Sequence, residues 1–350
     1  WIMSYTNGLD KPSDYFNTII WTGDGVAGRA LDVGFATNLF WVKPRNTGDT
    51  HYLTDSVRGA LKGLQPNDTA AETTFDSVRS FTSTGVTVGT SATTNNSSAN
   101  IFVAWNWKAG TSFTNDASET GIGTIDSAGS FNNDSGFSIV SYTGTGSVGT
   151  LKHGLNSTPV MMICKSRDSG SAYWYAYHKS LGNAQEIYPN VANAAASSAT
   201  WNSTSPTSSV FSIGSHVGIN ASGAGQIAYL FAEKQGYSKF GSYTGNGNAD
   251  GTFVYTGFKP AYILTKSSSA AEPWKIWDNK RGSINPNQSI LWGNDVTAEY
   301  VNANQSADFL SNGFKWRMTD YANTSGATYI YMAFAENPFV SSTGVPATAR

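Results

Sequence analysis

Cysteine is nearly absent. The single Cys164 excludes an internal disulfide framework and a thiolate cage for a metal. Charge is scarce as well: 13% of the 350 residues are charged and the net charge is −2, against roughly 25% charged residues in an average soluble protein. No basic run is present, so the sequence offers no electrostatic footprint for nucleic acid or an anionic membrane surface. No apolar run approaches the roughly 18 residues of a membrane-crossing helix. No secretory leader is visible, and the chain opens on Trp1 rather than Met, which is read as a processed or excised product. Helical periodicity is missing almost everywhere; only the Ala-rich stretch 190–198 suits one or two helical turns.

What is abundant is aromatic. Phe, Trp and Tyr make 13% of the chain, which excludes a disordered polymer despite the many Ser, Thr, Asn and Gly. Aromatic and β-branched residues, separated by turn formers and carrying little charge, predict an all-β protein. The length suggests roughly two or three domains.

The chain repeats itself three times. Trp-Thr-Gly at 21–23 returns as Tyr-Thr-Gly at 142–144 and 243–245. Each is followed by an apolar block ending in lysine: LFWVK at Lys43, MMICK at Lys165, YILTK at Lys266. Next come THYLTDSVRG (50–59), AYWYAYHKSLG (172–182) and EPWKIWDNKRG (272–282). Each unit closes on IFVAWNWKA (101–109), GQIAYLFAE (225–233) or TYIYMAFAE (328–336), preceded by Asn-x-Ser at Asn96, Asn220 and Asn323. Units of this size are whole small domains rather than solenoid turns. Short extended runs punctuated by turn residues predict three tandem antiparallel β-sandwich repeats of jelly-roll, concanavalin-like type. They are expected at 12–110, 135–236 and 237–339. The polar, Gly/Ser-rich residues 111–134 are read as a linker and 340–350 as a tail. Eight extended runs are counted in the third unit: 238–244, 252–257, 261–267, 273–278, 289–293, 299–303, 313–318 and 327–335.

Strand alternation assigns faces. His51, Trp174 and Trp274 occupy matching positions on a face read as core. The opposite face, polar in the first unit, is aromatic in the second and is read as outward. Tyr173, Tyr175 and Tyr177, with Trp277 in the third unit, are therefore the candidate contacts for a glycan or a protein partner.

The phrases at 14–18 with 21–25, 55–59, 103–110, 135–144 and nearly all of 236–266 resemble a tandem-repeat family of bacteriophage virion proteins, especially from phages of marine and environmental bacteria. The likeness covers about residues 12–339. It implies a tail-fibre, appendage or capsid-surface component on the extracellular virion surface. Its partners would be other virion proteins and copies of itself, a trimer among the arrangements expected, with host-surface glycan as a further ligand. No enzymatic activity belongs to the repeat, so no catalytic residue carries over. The second unit departs from the pattern: His178 and Leu181 stand where the others have Asp55 and Arg58, or Asp278 and Arg281.

Motifs of other chemistry dissolve on inspection. The glycine patterns at 23–28 and 144–149 match a dinucleotide fingerprint but open no helix, so they are read as hairpin turns. His51, His153, His178 and His216 lack metal-ligand spacing, and no nucleophile elbow is present. Cys164 sits in an apolar strand and is read as a buried small residue. The Asp-x-x-Arg pairs are read as turn clamps. No catalytic residue, metal ligand or cofactor is assigned; calcium is left open, since a calcium-dependent lectin is a further alternative. The expected function is a non-enzymatic virion structural protein that adheres to host glycan. The alternatives are a pure assembly protein and a polysaccharide depolymerase with a carboxylate pair.

Overall fold

The computed structural model describes residue 6, residues 8–95 and residues 99–348. The first third forms β1 (Phe16–Thr22), β2 (Arg29–Asp32), β3 (Leu39–Pro44), β4 (Tyr52–Asp55), β5 (Lys62–Gly63), β6 (Thr73–Thr74), β7 (Val78–Phe81), β8 (Gly85–Val88) and β9 (Ile101–Trp107). The middle third forms β10 (Thr111–Asn115), β11 (Ser127–Asn132), β12 (Phe137–Thr143), β13 (Gly149–Lys152), β14 (Met161–Ser166), β15 (Tyr175–His178), β16 (Gln185–Glu186), β17 (Ala196–Ser197), β18 (Val210–Ile213) and β19 (Gly225–Phe231). The last forms β20 (Ser238–Thr244), β21 (Phe253–Tyr255), β22 (Phe258–Ser267), β23 (Lys275–Asp278), β24 (Ser289–Trp292), β25 (Tyr300–Val301), β26 (Ser306–Leu310), β27 (Gly313–Arg317) and β28 (Thr328–Pro338). The protein is all-β, and its strand ladders are antiparallel.

One strand order recurs. The principal sheet of the first segment runs β1-β9-β3-β4; the same order appears as β12-β19-β14-β15 and as β20-β28-β22-β23. Each principal sheet faces a smaller one: β2-β8-β7, β13-β18 and β21-β27-β26. Between each pair lies a local core. In the first segment Leu31, Val78, Val86 and Val88 of the small sheet meet Phe40, Val42, Tyr52 and Ala104 of the large one. Equivalent layers join Phe211 and Ile213 to Met162 and Leu230, and Phe309 and Phe314 to Ile263 and Ala333.

The other face of each principal sheet is also covered. Trp41, Trp105 and Trp107 from the first segment, Trp174, Tyr229 and Phe231 from the second, and Tyr262, Trp274 and Phe334 from the third form one shared core. Phe334 stacks on Phe16 with ring centres 4.8 Å apart, and Trp107 meets Phe231 at 6.2 Å. The central strands are thus buried on both sides, β3, β4, β15, β22 and β23 along their whole length.

Three sequence expectations need correction. Residues 111–134 are not a linker: β10 and β11 form a hairpin that extends the middle sheet beyond β12, in the order β10-β11-β12-β19-β14-β15. Ser, Thr and Gly suffice there because the added strands lie at the sheet's edge, where half their side chains meet solvent. The stretch 190–198 is extended, with β17 inside it. Helical turns lie elsewhere among the described residues: a 3-10 turn at Pro12–Asp14, α1 (Ala117–Thr120), capped by Asp116, and α2 (Val217–Asn220), capped by His216. A strand at Ser306–Leu310 was not anticipated; it pairs with β27.

Turns follow one device. Gly25, Gly146 and Gly247 have φ of 70°, 73° and 65°, a region that glycine enters at no steric cost. Their N–H groups donate to the carbonyls of Asn95, Asn220 and Asn323. The side chains of these asparagines return bonds to the backbone N–H of Asp24, Thr145 and Asn246. Asn95, rather than Asn96, does this in the first segment; the 96–98 triplet lies outside the described residues.

Candidate functional site

The aromatic residues singled out by alternation do not form an outward face. Tyr175 and Tyr177 are 6% and 5% exposed and belong to the local core of the second segment; Trp277 is fully buried in that of the third. The alternation is real, but both faces of these strands are covered: Trp174 and Ala176 face the shared core, Tyr175 and Tyr177 the small sheet. Burial pushes the Tyr175 phenol up to about 12. Only Tyr173 of the four is exposed, its ring 5.3 Å from that of Tyr188.

The residues with the richest chemistry sit where segments meet. Asp55 accepts from Arg58 Nε at 2.5 Å and from the phenol of Tyr229, in the second segment, at 2.7 Å. Arg58 also donates to Glu72, which receives both Nε and Nη2 of Arg167 from the second segment at 3.0 and 2.9 Å. The pattern repeats between the first and third segments. Asp278 holds Arg281 at 2.5 Å and accepts from Trp105 Nε1 at 3.0 Å, while Glu299 receives Arg281 and a bidentate Arg45. Two buried carboxylate–guanidinium networks therefore join the second segment to the first and the first to the third.

The remaining joint has the same geometry without the buried carboxylate–guanidinium network; its charges are the half-exposed Lys179, Glu233 and Lys239. His178, in the Asp55/Asp278 position, donates from Nε2 to the Tyr331 carbonyl at 3.2 Å. Leu181 stands for the arginine. Ala195 N donates to Ser268 O at 3.0 Å, in the relation that Glu72 has to Arg167 and Glu299 to Arg45. Met332 replaces Trp105 and Tyr229 as the facing residue, and it has no N–H or O–H to offer. Loss of the acceptor, both arginines, the glutamate and the donor together leaves nothing charged unpaired at this joint.

A second set of contacts runs the same way round. Trp174 Nε1 donates to Gln65 O at 2.9 Å, Trp274 Nε1 to Tyr188 O at 2.8 Å, and His51 Nε2 to Asp295 O at 3.2 Å. Because His51 Nδ1 accepts from Trp41 Nε1, its proton must sit on Nε2. Each segment therefore grips the next in a closed cycle: second on first, first on third, third on second.

Other reactive side chains are likewise committed. Burial pulls Lys43 and Lys165 down to about 8 and Lys266 to about 7. Each ammonium nonetheless ties down two carbonyls of the following loop, one residue and four residues on. Burial lowers His153 and His178 to about 4 and holds His51 well below its ordinary value, so all three are neutral at pH 7. Burial raises the Cys164 thiol, removing its nucleophilic form. Among the described residues no group of three or more His, Cys, Asp or Glu is placed to hold a metal.

A groove of about 740 Å³ lies on the open surface between the added hairpin and the turn at 143–145. Thr114, Ser127, Ser141 and Thr143 line it with hydroxyls; Asp116, Asp126 and Arg167 supply charge. Both carboxylates have structural tasks: Asp116 caps α1 through Ser118 N and Glu119 N, and Asp126 accepts from Ala117 N. The Ser118 hydroxyl and the Glu119 N–H hold Asp116 below its usual range, the opposite of what a general acid at neutral pH requires. The geometry suits hydroxyl-rich ligands better than acid–base chemistry.

A family described as a domain of unknown function (DUF7483) matches residues 11–338. The chain belongs to that family. The DUF7483 match runs unbroken across all three segments, as the shared core does. No curated protein matches the chain. No helix among the described residues is long and apolar enough to cross a membrane.

Proposed function

We propose that this DUF7483 chain is a non-enzymatic structural protein of a phage virion surface, built into a tail fibre, appendage or capsid exterior with other virion proteins. The observation that carries the structural half is the deployment of its ionisable residues. The buried Asp–Arg–Glu clusters, the low-pKa lysines and the neutral histidines all serve joints and loops. The virion half rests on the resemblance of the repeated phrases. Host-surface glycan is the ligand this reading adds, and the hydroxyl-lined groove at the hairpin is its place, not Tyr175, Tyr177 or Trp277, which are buried.

Two measurements test the reading. Mass spectrometry and immunogold labelling of purified virions from a phage encoding the chain should find it in stoichiometric amount on the particle exterior. Its absence from the particle sinks the proposal. A glycan array probed with the purified chain, with calcium and with chelator, should give hits weakened by Asp126→Ala. An array silent in both conditions, with the protein folded, leaves a pure assembly protein. Products released from the array would instead demonstrate a depolymerase.

A further inference from the structure

The three principal sheets differ at one edge. In the middle sheet the outer side of β12 is covered by β11, with Ser130 opposite Ile139 and Ala128 opposite Ser141. Residues 124 and 125 continue this strand onto the second wall of the sandwich, donating to Thr150 O at 2.8 and 3.1 Å, and Ser127 Oγ bonds Lys152 O. The hairpin therefore fills a slot between β12 and β13.

The matching slot in the first segment is open. It measures about 370 Å³ and runs along Asn17–Trp21 of β1 and Ala30–Asp32 of β2, with Lys280 of the third segment also on its wall. Lys108 N donates to Tyr15 O and Gly23 N to Asn100 O. Alternation therefore turns residues 17, 19 and 21 toward β9, and the backbone groups of Phe16, Thr18, Ile20 and Thr22 away from it; of these, Thr22 O already accepts from Arg29 Nη1 at 2.5 Å. Among the described residues no strand pairs with that outer edge. Thr18 lines the slot at 2% exposure, and its Oγ1 has no partner among the described residues. Ile20, where the covered strand has Ser141, is 44% exposed.

The third segment guards its own edge. Glu233 accepts from Phe240 N at 3.3 Å, Lys234 O accepts from Ser238 N at 2.9 Å, and Lys239 adds charge. Unpaired strand edges are normally blunted by charge, proline, bulges or cover. β1, with the sequence Phe-Asn-Thr-Ile-Ile-Trp-Thr, carries no charge, proline or glycine, and its ladder with β9 is unbroken.

We propose that the outer edge of β1 is an acceptor site for an extended strand of a partner polypeptide, which adds antiparallel to β1 as β11 adds to β12. The occupant is uncharged where it faces the edge and alternates small residues, on the pattern Ser-Ala-Gly-Ser of 127–130. The inference stands apart from the virion and glycan readings, since it needs only a protein partner.

The test uses the full chain and a fluorescein-labelled peptide of residues 124–133, the segment that fills the equivalent slot. Saturable binding is expected, insensitive to salt and absent with a scrambled peptide. Ile20→Pro should abolish it, because it removes an outward N–H and places a ring in the slot. Proline is tolerated on an edge strand when its nitrogen faces away from the ladder. Ser242→Pro, at the guarded edge, should leave binding unchanged. Circular dichroism and thermal unfolding confirm that each variant is folded. No saturable binding to the folded wild-type chain, or binding that survives Ile20→Pro, overturns the proposal. So does self-association of the chain that Ile20→Pro abolishes while the peptide never binds; that result would assign the edge to a second copy.

Discussion

Asp55 and Asp278 each hold an arginine and a neighbour's aromatic donor, while His178 makes a single neutral bond at the same place. Removing one partner of a buried ion pair costs about 3–5 kcal/mol, because the other charge is left unsolvated. Asp55→Ala and Asp278→Ala should each lower the unfolding free energy by about that amount in urea titrations at pH 7. Tyr229→Phe leaves Arg58 in place and should cost about 1–2 kcal/mol. Acid should act in two windows. Burial lowers His153 and His178 from 6.5 to about 4. The unfolded chain binds these protons first, so stability is complete above pH 6.5 and falls as the pH drops toward 4. Burial raises the carboxyls of Glu72 and Glu299, but their arginine partners outweigh it and the net shift is downward. Their contribution is present above the unfolded carboxylate value and is lost as pH falls through the lowered folded one. Urea midpoints measured from pH 8 to pH 3 should decline in both windows. His178→Gln should flatten the upper window and Glu299→Gln the lower; equal slopes in wild type and variants would refute the assignment.

At the level of the strand, periodicity could say which residues share a side but not whether that side is covered. Trp174 and Trp274 were placed correctly on a core face. Tyr175, Tyr177 and Trp277 were placed on an outward one because a lone sandwich covers only one face of each sheet. Here the second cover comes from a different segment. The hairpin was invisible for the opposite reason: Thr111–Asn115 and Ser127–Asn132 are polar and small, so no apolar alternation announces them. The structure also explains Gly129. A Cβ there would lie 1.9 Å from Ile139 O and 2.9 Å from the Phe113 ring. Gly129→Val should therefore prise β11 from β12. The expected cost is about 1–3 kcal/mol, with amide exchange accelerated over 127–132 and unchanged in β22 and β28. Uniform acceleration across the protein would mean that the hairpin is integral to the whole core.

For the whole molecule, the repeated phrases mark which strands of the segments correspond, but the joints are not legible. Asp55 and Tyr229 are 174 positions apart, and nothing local in either phrase marks the pairing. Because the shared core takes aromatic rings from all three segments, a fragment such as 237–339 would expose Tyr262, Trp274 and Phe334 to water. It should fail to give dispersed amide resonances when expressed alone. The full chain should melt in one calorimetric transition rather than three; a natively folded fragment, or separate transitions, would show independent domains.

The joint that lacks the buried ion network has a consequence for folding. Repeated segments invite mispairing, because near-identical faces compete for the same neighbour. Here the faces carry two kinds of address, an ion network at two joints and a single neutral histidine bond at the third. Were the third segment to seat on the first, Ser268 and Met332 would meet Asp55, Arg58 and Glu72, leaving that charge without the Arg167 and Tyr229 that hold it. Were the first to seat on the second, Arg45 would meet Ala195 where Glu299 now receives it. The segments therefore have only one permitted cyclic order. A fourth copy, or a segment borrowed from another chain, finds every address already taken.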